Sequence, residues 1–426
     1  MRSVLRWSVW LLGGIAAVVV ARGLLGTVLV SLRPRPDPPD AALAAHAAQL
    51  HRDALLLDGH NDVPTWMLRY GFDLAMDGNE PSDRNPFFYY PFEALPFAPT
   101  AESIHTHTDL ARLREGGVDA QFFSIFVDCA VLEEGAGAAK RRALEMIAAF
   151  HEQLSRHGDR IELSRSRADV DRIRHAGKIA ALMGLEGGHA IEDDLTALGE
   201  FHALGIRYVT LTHNCTHGWA DAAGDADDPD VNRHGGLSEF GRGVVREMNQ
   251  LGLIVDVSHA ADDTFWDVIE TTRAPIMASH SSVRSIADQP RNLSDEMLRA
   301  LADNGGIAMI NFRTVYLDPE KTAIWKLLTG WHWLTHPGGT GTPLSAVADH
   351  IDRAVQVAGL DHVGLGSDFD GVMLLPDGLA DVGDFPNLTL ELVRRGYSDE
   401  AVAKILGGNA LRVLERVEQI ASPVAD

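Results

Sequence analysis

Eight short apolar segments, most of them followed by a segment with helical periodicity, are the feature that most constrains the fold of this chain. A regular alternation of strands and helices predicts a parallel sheet with helices on its outer face. Eight is also the number of strands that closes a (β/α)8 TIM barrel. The predicted strands are 54–58, 120–127, 179–185, 206–212, 253–258, 275–279, 306–312 and 362–367.

The segments between these strands have helical patterns and helix-terminating residues. Gly205 and Gly252 stand where a helix should end before the next strand, and Ser294 opens a helix as a capping residue. The predicted helices are 40–52, 109–115, 138–158, 190–204, 238–251, 261–272, 294–303, 342–358 and two within 398–420, separated at Gly407 and Gly408.

Residues that can bind a metal ion follow six of the eight predicted strands. In a (β/α)8 barrel the carboxyl ends of all strands meet at one face, so side chains distant in sequence converge there. Each residue alone could equally be a buried histidine or acid with local hydrogen bonds. Together they indicate a metal site, and they are His60, Asp62, Glu186, His213, His259, His280 and Asp368.

The donor atoms indicate which metal this site would hold. Imidazoles combined with carboxylates suit zinc, whereas Mg²⁺ and Ca²⁺ prefer oxygen ligands alone. Two zinc ions can be bound if Glu186 bridges them, with His60 and Asp62 on one ion and His259 and His280 on the other. A hydroxide held between two such ions is a nucleophile at neutral pH. We therefore predict a metal-dependent hydrolase.

Asp368 is the predicted proton carrier. It follows the last predicted strand, in the sequence Gly-Ser-Asp-Phe-Asp-Gly. A carboxylate at that position can take the proton of the attacking water and pass it to a leaving amine. Glu186 and Asp368 are accordingly the residues we predict to be catalytic.

The charge balance argues against one class of partner. The chain has 37 basic and 60 acidic residues, which gives a formal net charge of -23. A surface of that sign repels phosphate backbones, so no nucleic-acid partner is expected.

The N-terminal region has the composition of a membrane-targeting segment. Residues 7–32 are nearly all apolar apart from Arg22, and residues 33–39 are rich in proline. We predict that residues 1–39 form a membrane anchor or signal segment with a linker, and that residues 40–426 form the barrel domain. An uncleaved anchor and a cleaved signal peptide both remain open. We expect the barrel domain to be extracytoplasmic, exported or periplasmic, because this segment resembles an export signal and the two cysteines could form a disulfide.

The sequence contains two cysteines. Cys129 and Cys215 could form a disulfide or remain two buried thiols.

Two long insertions interrupt the alternation of strands and helices. The insertions 72–103 and 325–341 are rich in aromatic residues, and we predict that they form walls or lids over the barrel mouth.

Seven segments, in order along residues 55–415, resemble the membrane (renal) dipeptidase family of zinc peptidases. Each motif is weak alone, but seven in register are specific. They are Asp58-Gly-His-Asn-Asp62, Gly184-Leu-Glu-Gly-Gly188, Leu211-Thr-His-Asn-Cys215, Asp256-Val-Ser-His259, Ser279-His-Ser-Ser282, Arg291-Asn292 and Gly364-Leu-Gly-Ser-Asp-Phe-Asp-Gly371.

This resemblance implies a binuclear zinc barrel enzyme that cleaves dipeptides and accepts a D-residue at the C-terminal position. The ligands of one zinc would be His60, Asp62 and Glu186, those of the other Glu186, His259 and His280, and Asp368 would be the acid/base. His213 matches the residue that contacts the scissile carbonyl, and Arg291 the one that holds the substrate carboxylate. Tyr316 falls where family members line the pocket, although a packed aromatic residue is an equal alternative.

The resemblance also bears on assembly and on the cysteines. Cys129 and Cys215 match a disulfide pair of the animal enzymes, and a homodimer is implied. The N-terminal segment departs from the C-terminal lipid attachment of those enzymes, so membrane attachment depends on residues 7–32 alone.

Two alternatives stand beside a zinc dipeptidase. One is a binuclear amidohydrolase that acts on N-acyl amino acids, cyclic amides or β-lactams. Many such enzymes bridge their metals with a carboxylated lysine, whereas the bridging position here is Glu186. The other alternative is a membrane-tethered binding protein that has lost catalysis, but every predicted ligand and the predicted acid/base are present.

Overall fold

The structure, a computed structural model, describes residues 40–76, 106–226, 228–320, 342–372 and 374–421. The predicted membrane segment and the insertion 325–341 lie outside these residues, as does all but the first part of the insertion 72–103. Among the described residues, no helix has both the length and the apolar character needed to cross a bilayer.

Eight parallel strands close into a barrel. The barrel strands are β1 (Leu56–Asn61), β2 (Val118–Phe126), β4 (Ile179–Glu186), β5 (Ile206–Thr210), β6 (Ile254–Asp256), β7 (Met277–Ala278), β8 (Ile307–Ile310) and β9 (Val363–Leu365). Each strand pairs with its neighbours in the order β2-β1-β9-β8-β7-β6-β5-β4, and a β2–β4 pairing closes the ring. The prediction of a (β/α)8 barrel is therefore confirmed.

A ninth strand, β3 (Ile161–Leu163), was not predicted. It pairs in parallel with the first three residues of β4, from Ile179 to Ala181. From Met183 onward the same edge of β4 pairs with β5. Since β3 occupies the part of the edge that β5 does not reach, it extends the sheet outside the closed ring.

Helices surround the barrel much as predicted, with differences at their ends. The helix expected over 190–204 begins only at Thr196, after a short 3-10 turn over Gly188–Ile191. Four helices were not predicted: Val63–Tyr70, Arg167–His175, Thr314–Leu317 and Phe385–Arg394. The others are Ala41–Asp53, Leu110–Glu115, Ala138–Arg156, Glu239–Leu251, Asp262–Thr271, Asp295–Asp303, Ser345–Ala358, Asp399–Ala403 and Asn409–Ile420.

The predicted break at Gly407 and Gly408 is a π-helical turn, Lys404–Gly408, that joins two helices without a loop. A Cβ atom on residue 407 would lie 2.6 Å from the carbonyl oxygen of Leu55 and 3.0 Å from the amide nitrogen of Leu57. Glycine is therefore required here because the turn approaches the backbone at the start of β1, and not because the helix ends.

The barrel interior is packed with side chains from alternate strand positions, including Leu57, Leu182, Ile254 and Met309. The helix Asn409–Ile420 contributes Leu411, Leu414 and Val417 to the same cluster. An apolar interior of this kind leaves the carboxyl ends of the strands as the place where polar side chains can gather.

Candidate metal centre

Glu186, the last residue of β4, lies at the centre of a group of buried histidines. Its Oε2 atom is 3.2 Å from Nε2 of His60, and its Oε1 atom is 3.2 Å from Nε2 of His259 and 3.6 Å from Nε2 of His280. The two carboxylate oxygens therefore face different histidines. Ser124 on β2 fixes the carboxylate by donating a hydrogen bond of 3.0 Å to Oε2.

His60 and Asp62 share one side of this carboxylate. Nε2 of His60 is 3.3 Å from Oδ2 of Asp62, as expected for residues two apart at the end of an extended segment. Nε2 of His60 and Oδ1 of Asp62 are both buried and have no hydrogen-bond partner among the described residues. Since buried polar atoms normally have partners, these two orphaned atoms fit a cation bound between them.

Each of the three histidines that surround Glu186 is oriented through its other ring nitrogen. Nδ1 of His60 is 2.8 Å from the Tyr208 hydroxyl, Nδ1 of His259 is 3.0 Å from Oδ1 of Asn214, and Nδ1 of His280 is 2.8 Å from Oγ of Ser279. Partners of this kind are typical of metal-binding histidines, because they fix the ring and leave Nε2 free.

The histidine tautomers follow from these partners in two cases. The Asn214 amide oxygen can only accept, so Nδ1 of His259 carries the hydrogen. The Ser279 hydroxyl donates to Oδ2 of Asp256 at 2.7 Å and therefore accepts from Nδ1 of His280. Both rings then present an Nε2 lone pair toward Glu186, which is the form that binds a metal ion.

Asp368 lies beside the His60 side of the group. One ligand atom from each of His60, Asp62 and Asp368 lies within 4.8 Å of the other two. Asn311 holds the carboxylate with a 2.8 Å hydrogen bond from Nδ2 to Oδ2. Burial raises the pKa of Asp368 to about 7.

Two site residues have left-handed backbone conformations that side chains rarely adopt, His259 with φ 67° and Asp368 with φ 64°. Backbone hydrogen bonds hold both residues: the Ala223 amide donates to the His259 carbonyl at 2.7 Å, and the Asp368 amide to the His60 carbonyl at 3.2 Å. Strain of this type concentrates at functional sites, where the surrounding structure compensates its cost.

His213, Arg291 and Tyr316 line the same end of the barrel. A ligand atom of His213 lies within 4.8 Å of those of Glu186 and His259, and burial lowers the pKa of His213. The buried Arg291 guanidinium carbon is 5.5 Å from the centroid of the Tyr316 ring, and its Nε atom has no hydrogen-bond partner among the described residues. The Tyr316 hydroxyl accepts a 2.8 Å hydrogen bond from Arg313.

A disulfide joins Cys129 to Cys215, with 6.1 Å between their Cα atoms. It connects the segment after β2 to the segment after β5 that carries His213 and Asn214. The Cys129 sulfur is 4.0 Å from Nδ1 of His213, so the bond lies next to the site.

Beneath the site, a buried carboxylate ties the first strand to the last. Asp58 on β1 accepts hydrogen bonds from the Ser367 amide at 2.7 Å, from the Ser367 hydroxyl at 2.6 Å and from the Gln121 side chain at 2.8 Å. Burial raises the pKa of Asp58 to about 6, against the effect of these hydrogen bonds. Asp58 thus sets the position of β1 relative to the loop that carries Asp368.

The supporting residues were the part of the site that sequence reasoning missed. Asn214 and Ser279 lie next to predicted site residues inside recognisable motifs, so adjacency could have signalled them. Ser124 and Tyr208 lie within strands and resemble core residues, so no local signal distinguishes them.

Comparison with known proteins agrees with this geometry. The family model for membrane dipeptidase, peptidase family M19, matches residues 44–426. The chain is 34% identical over 381 residues to dipeptidase verJ of Clonostachys rogersoniana. The aligned residues cover 88% of this chain and 87% of that protein.

Solved structures give the same result. The probable dipeptidase PvdM from Pseudomonas aeruginosa has a TM-score of 0.74 at 26% identity, over 90% of this chain and 100% of that one. A metallo peptidase from Rhodobacter sphaeroides, liganded with a phosphinate mimic of the dipeptide L-Ala-D-Ala, has a TM-score of 0.67 at 27% identity, over 85% of this chain and 99% of that one. The chain therefore belongs to the membrane dipeptidase family, peptidase family M19, and is a metal-dependent dipeptidase.

Proposed function

We propose that the enzyme uses two zinc ions and hydrolyses dipeptides, including those with a D-residue at the C-terminal position. The observation that carries this proposal is the position of Glu186, whose two oxygens face different histidines at 3.2 Å. A carboxylate placed in this way can bridge two cations, with one oxygen on each.

The donor atoms can be divided between two metal positions that have different ligands. One would use His60, Asp62 and Oε2 of Glu186, and the other His259, His280 and Oε1 of Glu186. Mixed imidazole and carboxylate donors favour zinc over Mg²⁺ or Ca²⁺. Bound zinc ions would supply Lewis acidity, which lowers the pKa of water into the neutral range and polarises a scissile carbonyl.

Asp368 would carry the proton in this reaction. Its carboxylate is oriented by Asn311, and burial that raises its pKa to about 7 suits a group that takes and returns a proton near neutral pH. The leaving amine of the dipeptide would receive that proton. Glu186 would remain ionised, because the positive charge of two bound ions favours its carboxylate form.

Arg291 would bind the free carboxylate of the substrate. Among the described residues this buried guanidinium donates only to neutral oxygens, those of the Ser281 hydroxyl and the His280 carbonyl at 3.4 Å each, which suits a ligand that brings its own negative charge. Tyr316, whose ring lies beside this guanidinium, would line the same pocket. His213 would contact the scissile carbonyl, where an imidazole can stabilise developing negative charge.

Tolerance of a D-residue is inferred from a relative. The Rhodobacter sphaeroides metallo peptidase was solved with a mimic of L-Ala-D-Ala, and it shares the fold of this chain at 27% identity. We extend the same substrate class to this enzyme. Membrane association through residues 1–39, an extracytoplasmic barrel domain over residues 40–426 and a homodimer complete the proposal.

Two measurements on the purified protein test the proposal. We expect close to two zinc ions per chain by elemental analysis, and hydrolysis of L-Ala-L-Ala and L-Ala-D-Ala that a chelator abolishes and zinc restores. N-acyl amino acids and β-lactams serve as comparison substrates. Activity on N-acyl amino acids alone would identify a binuclear amidohydrolase instead, and fewer than two ions after zinc addition would contradict the two-ion site.

A further inference from the structure

Tyr208, a residue to which the proposed mechanism gives no part, contacts the metal centre from below. It lies on β5 opposite Gly184 of β4 and Ile254 of β6, and it is fully buried in the barrel interior. Its hydroxyl is 2.8 Å from Nδ1 of His60. An aromatic residue from the packed core thus reaches a predicted metal ligand directly.

The surroundings of Tyr208 hold its ring in one place. The ring lies 4.9 Å from that of Phe122, centroid to centroid. The ring also lies against Gly184. A Cβ atom on residue 184 would come within 1.9 Å of the Tyr208 ring, so only glycine at this position leaves room for the ring. The His60 and Tyr208 rings are 21° from parallel. A side chain confined in this way can fix the orientation of the imidazole that it touches.

The contact between Tyr208 and His60 lies on only one side of Glu186. His60 faces Oε2 of Glu186, whereas His259 and His280 face Oε1 and have their own partners in Asn214 and Ser279. When Nε2 of His60 binds a metal ion, Nδ1 carries the hydrogen and donates it to the tyrosine oxygen. Tyr208 therefore supports the position formed by His60 and Asp62, and among the described residues no hydrogen bond connects it to the His259–His280 position.

We infer that Tyr208 is a positioning residue that sets the metal affinity of the His60–Asp62 position without affecting the His259–His280 position. Loss of a hydrogen-bond partner of a ligating histidine weakens metal binding roughly 10- to 100-fold. Because only His60 loses its hydrogen-bond partner, the weaker zinc binding should be seen in one of the two zinc-binding steps. This inference rests on the proposed two-ion site.

The test is a zinc titration of the metal-free Tyr208→Phe variant against a chromophoric chelator, which resolves the two binding steps. The substitution removes the hydroxyl and keeps the ring that fills the barrel. We expect one step to weaken roughly 10- to 100-fold and the other to match the wild type. The matched control is Tyr397→Phe, which removes a hydroxyl that donates at 2.7 Å to Asp352 on the outer helix Ser345–Ala358, and it should leave both steps unchanged.

A second measurement separates positioning from a general loss of structure. In the His60→Ala background the hydroxyl has no imidazole to orient, so adding Tyr208→Phe should change zinc affinity no further. Two unchanged steps in Tyr208→Phe, or two steps weakened equally, would overturn the inference while leaving the two-ion site intact. A wild-type protein that binds fewer than two ions would overturn both.

Discussion

Asp368 is the residue that we propose as the proton carrier, and its surroundings suit that role. Its carboxylate is buried, which raises the pKa to about 7, and Asn311 donates to one of its oxygens at 2.8 Å. A carboxyl group with a pKa in this range can both accept and release a proton at neutral pH.

We predict that Asp368→Asn keeps zinc and loses turnover. An amide of the same shape cannot accept a proton, so kcat should fall by roughly 10²- to 10⁴-fold. Zinc content by elemental analysis should stay within error of the wild type, because the metal ligands we propose are unchanged. Wild-type turnover in this variant would remove Asp368 from the proton pathway.

Asp119→Asn is the matched control for that substitution. Asp119 is a partly buried acid at the start of β2, at the opposite end of the barrel, where it pairs with Arg174 at 3.1 Å. Its substitution should leave kcat near the wild-type value.

Among single residues, the proposed metal ligands can be predicted from the sequence more readily than the residues that support them. His60, Glu186 and His280 follow apolar strands, and a polar residue at the end of a barrel strand is conspicuous. Tyr208 lies inside a strand, where an aromatic residue is the expected core filler. Whether its hydroxyl meets a histidine depends on the register between β5 and β1 across the barrel, which local sequence does not encode.

The order of the strands and helices could be predicted from the sequence, but the lengths of these elements could not. The run 275–279 predicts a strand of five residues, whereas β7 spans Met277–Ala278 only. Strand length depends on pairing with both neighbours, and the backbone of Ser279 instead donates to the Asp256 carboxylate at 2.8 Å. The strand β3 was missed because a three-residue run has too little pattern to stand out.

The helix Ser345–Ala358 carries a histidine that should make the fold sensitive to acid. His350 accepts a 2.9 Å hydrogen bond from the Val283 amide through Nδ1 and donates through Nε2 to the Leu317 carbonyl at 3.0 Å. Both bonds use the neutral ring, and burial lowers the pKa of His350 to about 4. His350 thus connects the segments that flank Arg291 and Tyr316.

The sign of the pH effect follows from this depressed pKa. The folded protein binds fewer protons than the unfolded chain between the unfolded pKa of 6.5 and the folded value of about 4. The contribution to stability is therefore complete above pH 6.5 and is lost as the pH falls toward 4. Its upper limit is about 3 kcal/mol, at 1.36 kcal/mol for each unit of pKa.

We predict that His350→Gln has a lower free energy of unfolding than the wild type at pH 7.5, and that it loses less stability between pH 7.5 and 5. Urea unfolding at the two pH values measures the difference. His46→Gln is the control, because His46 lies on an exposed surface beside Asp399 and its substitution removes no buried hydrogen bond. Equal pH dependence in His350→Gln and the wild type would contradict the assignment.

For the molecule as a whole, the predicted division at residue 39 has a direct consequence. If residues 1–39 serve only to hold the barrel domain at a membrane, a variant that begins at residue 40 should keep its zinc and its dipeptidase activity. The helix that starts at Ala41 is capped by the Asp40 side chain, so the cut leaves that cap in place. The full chain should sediment with membranes and the shortened one should not. Sedimentation of both would place the attachment elsewhere.

Metal binding should also stabilise the fold, because the proposed ligands come from four different strands. His60 lies in β1 and Asp62 directly follows it, Glu186 ends β4, and His259 and His280 follow β6 and β7. Unfolding separates these groups and releases the metal, so free zinc raises the free energy of unfolding by RT ln(1 + [Zn]/Kd) for each site. At a free concentration 100 times the Kd this is about 2.7 kcal/mol for each ion.

We predict that the thermal midpoint rises with free zinc and falls in excess chelator, and that Glu186→Gln loses most of this dependence. An amide can offer only one good donor oxygen, so it cannot serve two cations, and the variant should lose turnover as well. Scanning calorimetry at several buffered zinc concentrations measures how steeply the thermal midpoint changes with free zinc. A wild-type midpoint that stays constant while chelation abolishes turnover would mean that the unfolded chain binds zinc as tightly as the folded one, and it would contradict a metal site that depends on the fold.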